Sequence, residues 1–77
     1  MGTASPEPIV LELRGLEPPE PMMRILRTLE GMAVGQRLEA RLPRKPVFFL
    51  PQLEELGYPY DLEHVDEELW VLRITKE

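Results

Sequence analysis

Apolar residues in this chain recur at every second position, then at every third and fourth, and that exchange happens twice before two alternating runs close the sequence. Ile9, Leu11 and Leu13 alternate with Val10 and Glu12, the mark of a strand with one buried face. Met22, Ile25, Leu26, Leu29 and Met32 then form a stripe at helical spacing, with Arg24, Arg27, Thr28 and Glu30 on the other side. Pro21 suits the first helical position, Glu20 places a negative charge at the positive end of the helix, and Gly31 and Gly35 bracket its exit. From Gln36 to Leu42 the alternation returns, with Leu38, Ala40 and Leu42 inward and Arg37, Glu39 and Arg41 outward. The segment from Val47 to Gly57 predicts a short helix starting near Val47 or Phe48, which puts Pro51 in the first turn and Gly57 at a left-handed stop. Strands over Tyr58 to Val65 and Leu69 to Thr75 follow, joined around Asp66-Glu67-Glu68. With no glycine in that turn, a type I turn with an adjusting bulge is predicted over a primed one.

The order is therefore β-α-β-α-β-β. Parallel strands joined through a helix cross over right-handedly, so two crossovers advancing in one direction put both helices on one face. The predicted class is α/β in the broad sense: an α+β two-layer sandwich, a four-stranded mixed sheet with two helices on one face. Ile9, Leu11, Leu13, Leu38, Ala40, Leu42, Trp70, Leu72 and Ile74 belong beneath the helices. Glu12, Arg14, Arg37, Glu39, Arg41 and Arg73 belong on the open face, where opposite charges pair across strands. Val10, Val65 and Val71 share that face and leave a homodimer through it open.

At 77 residues the chain makes one small domain, read as residues 9–77 behind a flexible polar tail, 1–8. It holds no cysteine, which excludes disulfides, thiolate metal sites and cysteine nucleophiles. No apolar run approaches the roughly 20 residues of a membrane span, and the first residues lack the apolar core of a signal peptide; the expected location is the cytoplasm. A net charge of −5 argues against a general nucleic-acid binder. Seven arginines against two lysines, nine prolines and no asparagine fit a thermophile and equally a GC-rich genome.

The segment Leu11-Glu12-Leu13-Arg14-Gly15-Leu16-Glu17-Pro18-Pro19-Glu20-Pro21 resembles the signature of the TusA/SirA-like sulfur-carrier family, which reads strand, Arg-Gly-Leu, one residue, then Cys-Pro-x-Pro opening the first helix. The element order and the proline inside the second helix match as well, so the resemblance spans Ile9 to Ile74. It implies a sheet in the order 1-2-4-3, a fold shared with the C-terminal domain of bacterial translation initiation factor three. It also implies a departure. Carriers bind a persulfide on the cysteine of that motif, and here Pro18 stands in its place, followed by Pro19, Glu20 and Pro21. A proline ring offers no nucleophile. The chain is similar to a cysteine-less bacterial branch of the family, of unknown function.

The candidate interaction loop is accordingly Arg14, Gly15, Glu17, Pro18, Pro19, Glu20 and Pro21, with no catalytic residue, no metal ligand and no cofactor. The expected role is a non-catalytic binding or accessory module whose partner is another protein. The alternatives are a small-ligand or anion sensor at the first-helix N-terminus and, less favoured, RNA binding through the basic cluster Arg41, Arg44 and Lys45 near Phe48 and Phe49, of which helical spacing makes at least one core. His64, the sole histidine, reads as a surface strand residue rather than a metal ligand. Glu54-Glu55 and Glu67-Glu68 diverge as sequence neighbours and read as solvated charge.

Overall fold

The two changes of hydrophobic period translate into β1 (Ile9–Glu12), α1 (Glu20–Gly31), β2 (Arg37–Leu42), α2 (Leu50–Leu56), β3 (Tyr60–Asp66) and β4 (Leu69–Thr75). They are seen in a computed structural model that describes residues 7–77. The predicted tail falls mostly on residues 1–6, outside the described ones; Glu7 already accepts a hydrogen bond on its carbonyl from Gln36 Nε2 at 3.3 Å. β1 pairs parallel with β2, while β4 pairs antiparallel with both β2 and β3. The sheet order is β1-β2-β4-β3, as the resemblance implies.

One face of the sheet is sealed by the helices. Leu38, Ala40 and Leu42 of β2 and Leu72 and Ile74 of β4 join Ile25, Leu29, Phe49 and Leu53 of the helical layer in a single buried cluster. Each large side chain in it contributes about 1.5–3 kcal/mol by leaving water, and in a chain of 77 residues few can be spared. Lys76 ties the end of β4 to the helical layer. Its Nζ donates to Leu29 O at 2.6 Å, a carbonyl near the C-terminal end of α1 that also accepts the Met32 N–H at 3.2 Å, and lies 5.7 Å from the centre of the Tyr58 ring.

The element ends differ from the sequence reading for local reasons. Glu20 opens α1 and Pro21 follows it, and Pro21 is itself buried, a packing role its backbone preference does not announce. Gly31 is the last residue of α1; the helix stops because Met32 turns extended (φ −84°, ψ 152°), while Gly35 (φ +89°) makes the bend into β2. α2 starts at Leu50, later than predicted, since a turn comes first: the N–H groups of Phe49 and Leu50 both donate to Pro46 O, at 3.0 and 3.2 Å. Pro51 still lies in the first turn and Gly57 takes the left-handed conformation (φ +82°). β3 begins at Tyr60 and not Tyr58, because Pro59 lacks an N–H and serves only as an acceptor, for Thr75 N–H at 3.1 Å. The hairpin carries a bulge between His64 and Asp66, and no non-glycine residue has a positive φ among the described residues, which rules out a primed turn at Glu67-Glu68.

The open face is charged, as predicted, and most of its charges are paired across strands in two groups, with Arg37 outside both. Glu12 of β1 meets Arg41 of β2 (3.2 Å), and Arg73 of β4 meets Glu39 of β2 (3.6 Å) and Glu63 and Asp61 of β3 (2.9 and 3.6 Å). Val71 departs from its predicted exposure. It is only 4% exposed although it points away from the helices, because its cross-strand neighbours Arg41 and Glu63 flank it with long side chains. Val10 and Val65 remain exposed.

Candidate functional site

β1 and β2 are parallel neighbours, so the loops leaving their C-terminal ends emerge side by side. The first, residues 13–19, carries the prolines; the second, residues 43–49, carries Arg44, Lys45 and the two phenylalanines.

The proline loop is pinned at its base. Leu13 is 2% exposed, and its N–H donates to Arg41 O at 3.0 Å. The chain reverses at Gly15 (φ +95°), a conformation strained for any residue with a Cβ. Glu17, Pro18 and Pro19 are exposed, and the Pro18–Pro19 peptide is cis. Little remains at the start of α1 to receive an anion. The Glu20 N–H donates to Glu17 O (2.9 Å), Pro21 has no N–H, and the Met23 N–H donates to Pro19 O (3.1 Å). Glu20 itself is held by Arg24 at 2.9 Å.

Arg14, a candidate loop residue, turns back to the sheet. Its Nε and Nη2 each donate to Glu12 at 2.9 Å, a bidentate pair. This hydrogen bonding, together with the Arg14 backbone N–H and the charges of Arg14 and Arg41, outweighs burial and holds the Glu12 carboxyl below its usual value. A carboxylate with a depressed native pKa stabilises the fold above its unfolded pKa, and that stabilisation fades as pH falls through the native one. Unfolding midpoints in urea are therefore expected to drop as pH falls below about 4, with Glu12→Gln flattening that part of the profile. The effect is small, under about 1 kcal/mol, because the pair is half exposed.

The predicted basic cluster separates. Arg41 lies on the open face with Glu12; its Nε is the one buried side-chain nitrogen or oxygen among the described residues without a hydrogen-bond partner, despite the ion pair at 3.2 Å. Arg44 and Lys45 stay in the second loop, exposed, with no carboxylate in ion-pair range among the described residues. Phe49 is core at 2% exposure, and Phe48 is 89% exposed. His64 is an exposed strand residue whose ring stacks on Trp70, with centroids 3.9 Å apart.

Between the loops runs a groove that the sequence reading did not anticipate. One stretch, of about 270 Å³, is lined by Leu16, Pro18, Pro21, Met22, Leu42, Pro43, Arg44, Lys45 and Pro46. A second, of about 540 Å³, shares Pro18, Met22, Arg44, Lys45 and Pro46 and continues along Pro19, Val47 and Phe48. Thus Pro18, Pro19 and Pro21 border the groove, whereas Arg14, Gly15, Glu17 and Glu20 do not line it. The signal was present in the topology: loops following adjacent parallel strands converge at the carboxyl ends of the sheet. Among the described residues no group of three or more acidic or histidine side chains is placed to hold a metal ion, and no helix is long and apolar enough to cross a membrane.

Residues 10–76 match the model of a family described as "Uncharacterized conserved protein (DUF2249)". A crystal structure of a SirA-like protein from Desulfitobacterium hafniense superposes with a TM-score of 0.76, covering 87% of this chain and 95% of that one, at 18% sequence identity. No curated protein sequence matches.

Proposed function

Because the chain belongs to the family of uncharacterized conserved proteins DUF2249 and has a SirA-like fold without a cysteine, we propose that it is a binding module, without a catalytic step, that docks another protein in the groove between its proline loop and its Arg44–Phe48 loop. It is a fold of the sulfur-carrier kind from which the carrier chemistry is gone. One observation carries this reading: at the end of the sheet where a carrier would present its thiol, this chain presents a rigid, proline-walled apolar groove. Prolines fix that surface before binding, so less conformational freedom is lost on association. Phe48, with 89% of its surface in water, has the size and placement of an anchor residue.

The test is cross-linking with mass spectrometry on partner complexes of the full chain. Cross-links are expected to map to residues 16–22 and 43–48, and Met22→Glu or Phe48→Ala is expected to weaken capture by about tenfold or more. Charge removal on the open face, Glu39→Ala with Arg73→Ala, leaves capture intact. Cross-links confined to the open sheet face would overturn the reading.

A second reading, small-ligand sensing, is supported by the size of the inner stretch, about 270 Å³, at the lower edge of small-molecule sites. Its place would be the groove, since the N–H groups at the head of α1 are mostly occupied or missing. A metabolite screen by thermal shift, with Trp70 as intrinsic probe, decides it: no rise in midpoint with any compound removes this reading.

A further inference from the structure

We infer that the groove takes an acidic segment of its protein partner, an extended stretch in which carboxylates alternate with apolar side chains. The inference rests on the docking reading above and adds the chemistry of the occupant.

Charge complementarity points to it. The chain carries a net charge of −5, yet both stretches of the groove are lined by Arg44 and Lys45 and by no acidic residue. Clefts elsewhere on the described surface mix the signs: Arg37 and Arg73 with Asp61 in one, Arg14 with Asp66, Glu67 and Glu68 in another. Of the arginines on or beside the sheet, Arg14 and Arg41 are engaged by Glu12 and Arg73 by three carboxylates, while Arg37 lies at the opposite end of β2 from the groove. Arg44 and Lys45 are the cations that line the groove, both without a carboxylate in ion-pair range among the described residues, and they stand over apolar walls supplied by Pro18, Met22 and Pro46. At physiological salt, charges act over roughly 8 Å, so these two define a local positive rim on an otherwise acidic molecule.

The same features favour a peptide over a nucleic acid. Tight binding of a phosphate backbone takes many cations, and two stand here against the repulsion of the whole chain. Stacking of bases takes several aromatic faces, and Phe48 is the single exposed one along the groove. Two joined apolar stretches with cations at their common margin fit alternating anchors and carboxylates better than a row of phosphates.

Fluorescence anisotropy with labelled peptides, together with amide chemical shifts of the full chain, tests this. The probes are a short peptide alternating Glu and Leu, the same peptide with Gln for Glu, the same with Lys for Glu, and a single-stranded oligonucleotide. The Glu peptide is expected to bind about tenfold more tightly than the Gln peptide, to weaken as salt rises, and to shift amides of residues 16–22 and 43–48. Arg44→Glu with Lys45→Glu abolishes that preference, whereas Arg27→Glu, which removes an exposed cation from the outer side of α1, preserves it. Equal binding of Glu and Gln peptides with groove shifts overturns the acidic segment and leaves the docking site standing. Peptide binding without groove shifts overturns both. Tighter binding of the oligonucleotide than of the Glu peptide overturns the inference in favour of a polyanion.

Discussion

Phe49→Ala is expected to lower the free energy of unfolding by about 3–5 kcal/mol, whereas Phe48→Ala, one position away, changes it by less than about 0.5 kcal/mol. Phe49 is 2% exposed and belongs to the cluster that joins α2 to the sheet, while Phe48 is 89% exposed. A domain of this length is stable by roughly 4–12 kcal/mol, so the first change removes a large share of what holds the fold together. Equilibrium urea titrations of both variants measure the contrast. Similar losses would mean that Phe48 packs as well as Phe49, and the groove would lose its anchor.

Leu72→Ala is the second large effect, a loss of about 2–5 kcal/mol. Leu72 is fully buried on β4, paired with Ala40 on β2 and Leu62 on β3. The alanine already on one side cannot fill the space that a second alanine leaves, so the site collapses poorly and the cost falls in the upper half of that range. Thermal unfolding combined with amide exchange measures it: the β3–β4 amides are expected to lose protection together with those of β2, since β4 bridges the two. A loss under about 1 kcal/mol would place the core elsewhere.

Most of the architecture was legible because each element carries its own period. Leu38, Ala40 and Leu42 announce one buried face, and Met22, Ile25 and Leu29 announce a helical stripe, with no knowledge of distant residues required. The resemblance to the sulfur carriers then supplied the strand order that local patterns leave open. What was missed depends on packing between segments far apart in sequence. Arg41 and Arg44 are close along the chain and read as one basic cluster, yet Arg41 lies within β2 on the open face, where alternation puts it, and meets Glu12, while Arg44 follows Pro43 into a loop. Phe48 and Phe49 are equal candidates for the core until the turn before α2 fixes which of them faces inward. Val71 looks solvent-facing by alternation, and the stems of its charged neighbours cover it all the same.

The candidate loop was legible as a place but not as a surface. Pro18, Pro19 and Pro21 do line the groove; Arg14 and Glu20, which drew attention as charges, are spoken for by Glu12 and Arg24. Its opposite wall, Arg44 to Phe48, comes from the far side of a helix and a strand in the sequence.

The clasp between Lys76 and α1 has a bearing on how this unit can be joined to others. Ile9 enters beside Leu38 and Thr75 leaves beside Arg37, so the first strand begins and the last strand ends at the pole away from the proline and phenylalanine loops. A tether joined just ahead of β1 or just after β4 would start from that pole and leave the opposite one unobstructed. The groove between the two loops would then face away from the point of attachment.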